Sequence, residues 1–390
     1  MSLDLTASTA ILREETARLG RLLPHRTLRP AQSCVVLRAD ADGMLLAAAD
    51  SELTARVRPP ATIRTAGEVL VSRRGLTDTL GGIDAADLRL VVEGSRLAIR
   101  TPTARFALPL LDASARPSLA PPPPMIGKID GSALAALSGP VAAAASREAA
   151  LPILTGVRVR GRGGSLSMLA TDRFRLSAGS APWRPAAPGD DPDALVPAAR
   201  LAEVARLAGG ADEIRVLADR DRFGLAWDGW CVVAAQLGQP YPDRQLESLL
   251  EVEPEWVVEV EAGALAGALH RATPYAGPHG RVTLEAGDGE LRVRGSDPVA
   301  GESDEAVKAA VGPEIAADAS LRPGRGARAG RVTRTYQARL LLDALRPFGD
   351  RLVRVEIQAG MRATRLRAAD GGVDELRCLV VPMRGEPAGD

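Results

Sequence analysis

Histidines His25, His270 and His279 are the imidazole bases of this chain, and no HExxH pattern is present to make any of them a metal ligand. No GxxxxGK[ST] loop occurs to cradle a phosphate. The run Ala170 to Arg175, ATDRFR, gathers hydroxyl, carboxylate and guanidinium groups but has no acid partner at catalytic spacing. Without a nucleophile and its base, a metal cluster or a phosphate loop, the expectation is a non-catalytic protein with no cofactor and no metal. Cys34, Cys231 and Cys378 are odd in number and far apart, which argues against a disulfide framework or a CxxC metal site and suggests small buried apolar residues. What remains is guanidinium chemistry. Lys and Arg total 49, Asp and Glu also 49, and only Lys128 and Lys308 are lysine. No field of one sign covers the whole molecule, so contact with a polyanion has to come from local segregation of arginines. The few aromatics (Phe 4, Trp 4, Tyr 3) do not suggest stacking platforms for single strands.

The elements that would position these groups recur. With 390 residues the chain has room for about two to four domains. No apolar run reaches the roughly 18 residues of a membrane helix, and Met1 to Ala10 lacks a basic stretch before an apolar core, so a cytoplasmic protein is expected. Three segments look alike: GMLLAAADSELTARV from Gly43, GSLSMLATDRFRLSA from Gly164 and GELRVRGSDPVAGESDEAV from Gly289. Each places an aspartate after an apolar run, Asp50, Asp172 and Asp297, spaced by 122 and 125 residues. A short amphipathic helix, a glycine break and alternating strands also repeat, at Arg74 to Arg100, Ala198 to Trp227 and Ala338 to Arg367, with Arg89, Arg215 and Arg354 aligned.

A helix is expected to open each copy, with stripes at Leu12, Thr16, Leu19 and Leu23, then Leu134, Leu137 and Val141, then Leu265, Leu269 and Ala272. Pro140 should kink or break the second of these. The run Pro121 to Pro124 reads as a spacer after copy one, and the acidic stretch Glu247 to Glu255 as an exposed connector after copy two. The third copy carries 14 extra residues around LRPGRGARAGRVTR, with Arg322, Arg325, Arg328, Arg331 and Arg334 at every third position. Such a stretch buries too little to offset its ordering entropy and reads as a solvated loop, with contact to DNA phosphate as the alternative.

LPILTGVRV (Leu151 to Val159), LATDRFRLS (Leu169 to Ser177), YPD (Tyr241 to Asp243) and the terminal LVVPMRG (Leu379 to Gly385) resemble, in this order, the bacterial DNA polymerase III beta subunit, the replicative sliding clamp. The Arg173-Phe174 dipeptide is similar to the actinobacterial branch. The resemblance covers nearly the whole chain. It implies an α+β fold of three tandem DNA-clamp (processivity-fold) domains, 1–123, 124–252 and 253–385, each with two helices packed on antiparallel sheet. Two chains would close head to tail into a ring, a homodimer threaded by double-stranded DNA without sequence preference. The partners implied are the DNA polymerase III alpha subunit, the clamp loader, and repair polymerases and ligase, the proteins docking through short peptides ending in apolar or aromatic residues. The peptide pocket would comprise Leu154, Thr171, Arg173, Arg175, Leu176, Pro242, Val380, Val381, Pro382, Met383 and Arg384. DNA-facing candidates are Arg21, Arg74, Arg206, Arg339 and Arg346 opposite the apolar stripes, with Arg26 and Arg147 in loops after opening helices. Phe106 and Leu108 match the family's dimer edge, facing Thr273 and Pro274. Val381, Gly385 and Arg244 stand where the family commonly carries other residues, which leaves open a specialised second clamp, for repair or for resistance to a clamp-directed antibiotic, or a scaffold that no longer encircles DNA.

Overall fold

In the computed structural model of the chain, which describes residues 2–23, 30–148, 150–287, 289–311, 331–371 and 375–384, the three repeated aspartates close the same turn. Asp50 Oδ1 accepts from the backbone N–H of Glu52 and Leu53 (2.8 and 2.7 Å). Asp172 Oδ1 accepts from Phe174 and Arg175 (both 3.0 Å), and Asp297 Oδ1 from Val299 and Ala300 (2.9 and 2.7 Å). A short carboxylate that captures the amides two and three residues ahead turns the chain without help from distant groups. This explains why the aspartate is the most regular feature of the repeats. Asp50 also receives Arg200 Nη2 at 2.9 Å and is only 6% exposed. Asp50→Ala is expected to cost about 2–3 kcal/mol, because two amides and a guanidinium lose a charged acceptor together. The midpoint of urea unfolding measures it.

Each copy opens with a strand, not with a helix. Asp4–Ser8, Met125–Asp130 and Pro254–Glu261 lie antiparallel to Asp87–Glu93, Glu213–Ala218 and Leu352–Gln358, the strands that carry the aligned arginines. Arg89 grips both oxygens of Asp4, Arg354 reaches Glu259 at 2.7 Å, and in copy two Lys128 stands opposite Arg215. These strands are too short for their alternation to stand out beside the longer helical stripes that follow.

Those stripes fold as expected. Thr9–Leu22 buries Leu12, Thr16 and Leu19, Ala262–Ala272 buries Leu265, Leu269 and Ala272, and Gly131–Ala143 contains the buried Leu134, Leu137 and Val141. Pro140 does not break this last helix, which runs on to Ala143. The residue before it is Gly139, whose missing Cβ removes much of the clash that normally forces a pre-proline residue out of the α region. The second helices are Arg73–Gly81, Ala198–Ala208 and Ala338–Leu345. The acidic connector is partly helical: Asp243–Leu249 forms a helix anchored by Arg160, whose guanidinium bonds Asp243 and Glu247 (2.6 and 2.7 Å). Among the described residues no helix is long and apolar enough to cross a membrane. Most of the arginine-rich segment, including Arg322, Arg325 and Arg328, and likewise Gly385 and Arg26, lie outside the described residues.

The chain forms two compact units, Met1–Ala135 with Trp183–Gly238, and Ala136–Pro182 with Gln239–Asp390. Copy two is divided between them. In the first unit the strand Trp230–Ala235 pairs with Leu53–Val57 of copy one, Val232 opposite Ala55. In the second, Arg175 to Ala178 pair with Arg377–Val380 of copy three. The core of the second unit packs Leu265 and Leu269 against Val293, Leu341, Val355 and Leu366, with Tyr336 among them. Tyr336 is fully buried, its hydroxyl paired with that of Thr364 at 2.6 Å, and burial pushes its pKa up to about 12. Between pH 10 and 12 the unfolded chain would release this proton while the folded chain keeps it. Stability is therefore untouched by this group below pH 10 and falls as pH rises to 12, by about 3 kcal/mol at 1.36 per unit. Chemical unfolding across that window, with Tyr336→Phe showing a shallower fall, checks the sign.

Candidate functional site

In the second unit, a cavity of about 740 Å³ forms where the Asp172 turn meets the end of the described chain. The turn is tight enough to hold Arg173 at φ 80°, in the left-handed region that a non-glycine residue rarely occupies. The Thr171 hydroxyl accepts from Arg173 N (3.1 Å) and donates to the Arg175 carbonyl (2.6 Å), which offsets that strain locally. The turn leaves Phe174 55% exposed, its ring beneath the Arg173 guanidinium at 5.8 Å. Arg175 lies below it, 9% exposed, with Nε on Asp172 (2.9 Å) and Nη1 on Asp343 (2.7 Å) of the helix Ala338–Leu345. It is a structural tie as well as a wall of the cavity.

After the strand Arg377–Val380 the chain runs along the opposite side. Val381 N donates to the Phe174 carbonyl (2.9 Å), and Met383 N to the Thr335 carbonyl (2.7 Å). Val381, Pro382, Met383 and Arg384 are thereby held as a lining segment. Gln337, Leu340 and Pro278 to His279 supply further walls. The lining combines exposed apolar groups with several guanidiniums and a few carboxylates, which suits an extended peptide with apolar anchors whose backbone carbonyls or terminal carboxylate meet the guanidiniums. Among the described residues no cluster of His, Cys, Asp and Glu could hold a metal ion.

Of the residues expected in the pocket, Arg175, Val381, Pro382, Met383 and Arg384 line the cavity. Leu154, Thr171, Leu176 and Val380 are buried beside it. Leu176 packs with Ala178 and Leu379 under Leu169, Leu246 and Leu250. Pro242 stands at the start of the helix that carries Leu246, and Arg173 is at the turn, 3.5 Å from Glu148. Phe174, Gln337, Pro278 and His279 were not foreseen. Their signal was slight, since only Phe174, an aromatic in a polar turn, is unusual in its local sequence.

Arg147 and Arg339, expected to face DNA, line this cavity. Arg346 is 81% exposed with Asp343 at 3.6 Å. In the first unit, Arg21 is exposed on the last turn of its helix, Arg74 is paired with Asp78 (3.3 Å), and Arg206 grips both oxygens of Glu203. Phe106 is 38% exposed on Arg105–Pro109, the last strand of its sheet, with Leu108 half-buried. Thr273 and Pro274 are exposed at the end of the helix Ala262–Ala272. Cys34 and Cys378 are buried and Cys231 half-buried, all three as free thiols, and burial raises each pKa, Cys378 to about 11.

Comparison with known proteins adds three findings. Models of the DNA polymerase III beta subunit match residues 3–120 (N-terminal domain) and 128–243 (central domain). The beta sliding clamp of Micrococcus luteus is 30% identical over 299 residues, 74% of this chain and 96% of that protein, and the beta sliding clamp homolog GriR of Streptomyces muensis is 29% identical over 283 residues, 72% and 75%. The fold is similar to crystal structures of the Pseudomonas aeruginosa DNA polymerase III subunit beta (TM-score 0.85, 22% identity, 98% of this chain and all of that one). It is also similar to the Bacillus subtilis sliding clamp (TM-score 0.86, 21% identity, 99% and 100%).

Proposed function

This chain belongs to the DNA polymerase III beta subunit family, the sliding clamps, and we propose that it acts as the non-catalytic processivity ring of the replicative polymerase in the cytoplasm. Three domains, 1–123, 124–252 and 253–385, are each one copy of the repeat, and two chains close head to tail around duplex DNA. The dimer forms where the free edge of Arg105–Pro109, with Phe106 and Leu108, meets the Thr273 and Pro274 corner of the partner chain. An unpaired strand edge bearing an exposed aromatic is a ready template for such a contact. Arg21, Arg26, Arg74, Arg206 and Arg346 supply the cationic lining. A ring held by topology needs only loose phosphate contacts, which suits Arg74, Arg206 and Arg346, each already sharing a nearby carboxylate.

The observation that carries the reading is the cavity beside the Asp172 turn, because Arg175 and Val381 to Arg384, which the family resemblance assigns to a partner-peptide pocket, line it together. The DNA polymerase III alpha subunit, the clamp loader, repair polymerases and ligase would each present an apolar or aromatic terminus there. Met383 repacks readily around different side chains, which favours a shared site. Loading on DNA tests the whole assignment. With a clamp loader and ATP, the protein should stay on a nicked circle through a high-salt wash and leave once the circle is cut to a linear molecule. Equal release from both forms would reject the ring.

A further inference from the structure

A second cavity, of about 480 Å³, lies in the first unit on the sheet face that carries Val36 and Leu45, beneath the segment Leu119 to Pro122. Cross-strand register assembles its floor. Arg38 stands opposite Leu45, Arg56 opposite Cys231, and Cys231 opposite Ala226, which faces Arg215. Arg222 Nη1 donates to the Pro121 carbonyl at 2.6 Å and secures the proline run.

The guanidiniums at this cavity are unequally satisfied. Arg116 is held by both oxygens of Glu68, and Arg38 meets Asp40 at 2.8 Å. Arg58 lies 3.6 Å from Asp40 and 3.8 Å from Asp42. Arg56 has no carboxylate among the described residues. One of its amino groups donates to the Ala120 carbonyl, while Nη1 is shielded from solvent and has no oxygen acceptor among the described residues. Its neighbour across the strands is the Cys231 thiol, a weak acceptor while protonated, and burial keeps it protonated. Leaving a shielded guanidinium donor unsatisfied is costly, and an incoming anionic oxygen would remove that cost.

We propose that this cavity binds the carboxylate of an acidic peptide side chain, with an adjacent apolar residue against Leu45, Leu119 and the Pro121–Pro122 wall. Charge balance selects a single carboxylate. Four arginines of the cavity are set against Asp40, Asp42 and Glu68, so one cation remains uncompensated. A nucleic acid backbone would bring repeated charge against those three carboxylates.

Cys231 lines the cavity and is the least buried of the three thiols, so its alkylation reports occupancy. The full chain would be treated with iodoacetamide, with and without the peptide acetyl-Ala-Glu-Val-Ala-amide, and the modified cysteine located by mass spectrometry. The expected result is about ten-fold slower alkylation of Cys231 under saturating peptide, no protection by the Gln counterpart, and loss of protection in Arg56→Gln. Arg38→Gln, at a side chain 39% exposed, provides a second variant and should weaken protection while leaving the melting temperature unchanged. No protection of the unaltered chain, equal protection by the Gln peptide, or equal protection by inorganic phosphate or a short single-stranded DNA overturns the proposal. Retention on circular DNA does not depend on this site, so the two tests fail separately.

Discussion

Glu356→Ala is expected to destabilise the second unit by about 3–5 kcal/mol, the largest loss from any single truncation proposed for this chain. Glu356 is wholly buried on the strand Leu352–Gln358 and holds two guanidiniums: Arg365 on one oxygen and Arg367 on the other at 3.0 Å. These arginines are 10% and 12% exposed, so removal of the carboxylate strands two charges in a region that water hardly reaches. The reach extends to the functional site. Arg365 pairs in register with Leu379, Leu379 with Leu176, and Arg365 Nη1 also ties the Leu250 carbonyl. Urea unfolding followed by circular dichroism gives the number. Replacing the triad together, as Glu356→Leu with Arg365→Met and Arg367→Met, should recover most of the loss, since an apolar trio needs no compensation. A Glu356→Ala midpoint equal to that of the unaltered chain would show that the triad contributes nothing.

The second large effect concerns the candidate peptide cavity. Phe174→Ala and Met383→Ala should each weaken a fluorescent peptide ending in Leu-Phe by about ten-fold, and together by about a hundred-fold. Both side chains line or rim the cavity, and neither holds the fold: Phe174 is 55% exposed, and the tie made by Met383 is through its backbone N–H. Arg175 is the wrong residue for such a test, because its loss would release Asp172 and Asp343 along with any ligand. Fluorescence anisotropy reads the affinity, and a double variant that binds as tightly as the unaltered chain would place the peptide elsewhere.

What could be read from the residues follows a physical divide. Features set by local chemistry were legible: the recurring aspartate, whose turn is closed by bonds that span only three residues, and the leucine stripes, because a helix repeats its face every 3.6 positions. Features set by partners distant in the chain were not. The opening strand Asp4–Ser8 exists because Asp87–Glu93 lies beside it, and the helix Asp243–Leu249 runs into the start of the stretch from Glu247 that charge alone suggested as a connector, with Arg158 and Arg160 to receive it. The cavity follows the same rule. Arg175 and Val381 to Arg384 were picked out through the family resemblance, whereas Gln337, Pro278 and His279 belong to loops that only the folded sheet brings near Phe174.

The ladder between Leu53–Val57 and Trp230–Ala235 crosses from one repeat into the next, and Arg377–Val380 does likewise against Arg175 to Ala178. A protease that nicks the run Pro121 to Pro124 would therefore not free a separate module, because the ladder between Leu53–Val57 and Trp230–Ala235 joins a strand before the cut to one after it. For the same reason the gene cannot be trimmed at its repeat boundaries without exposing raw sheet. Each copy relies on a neighbouring one for a strand partner.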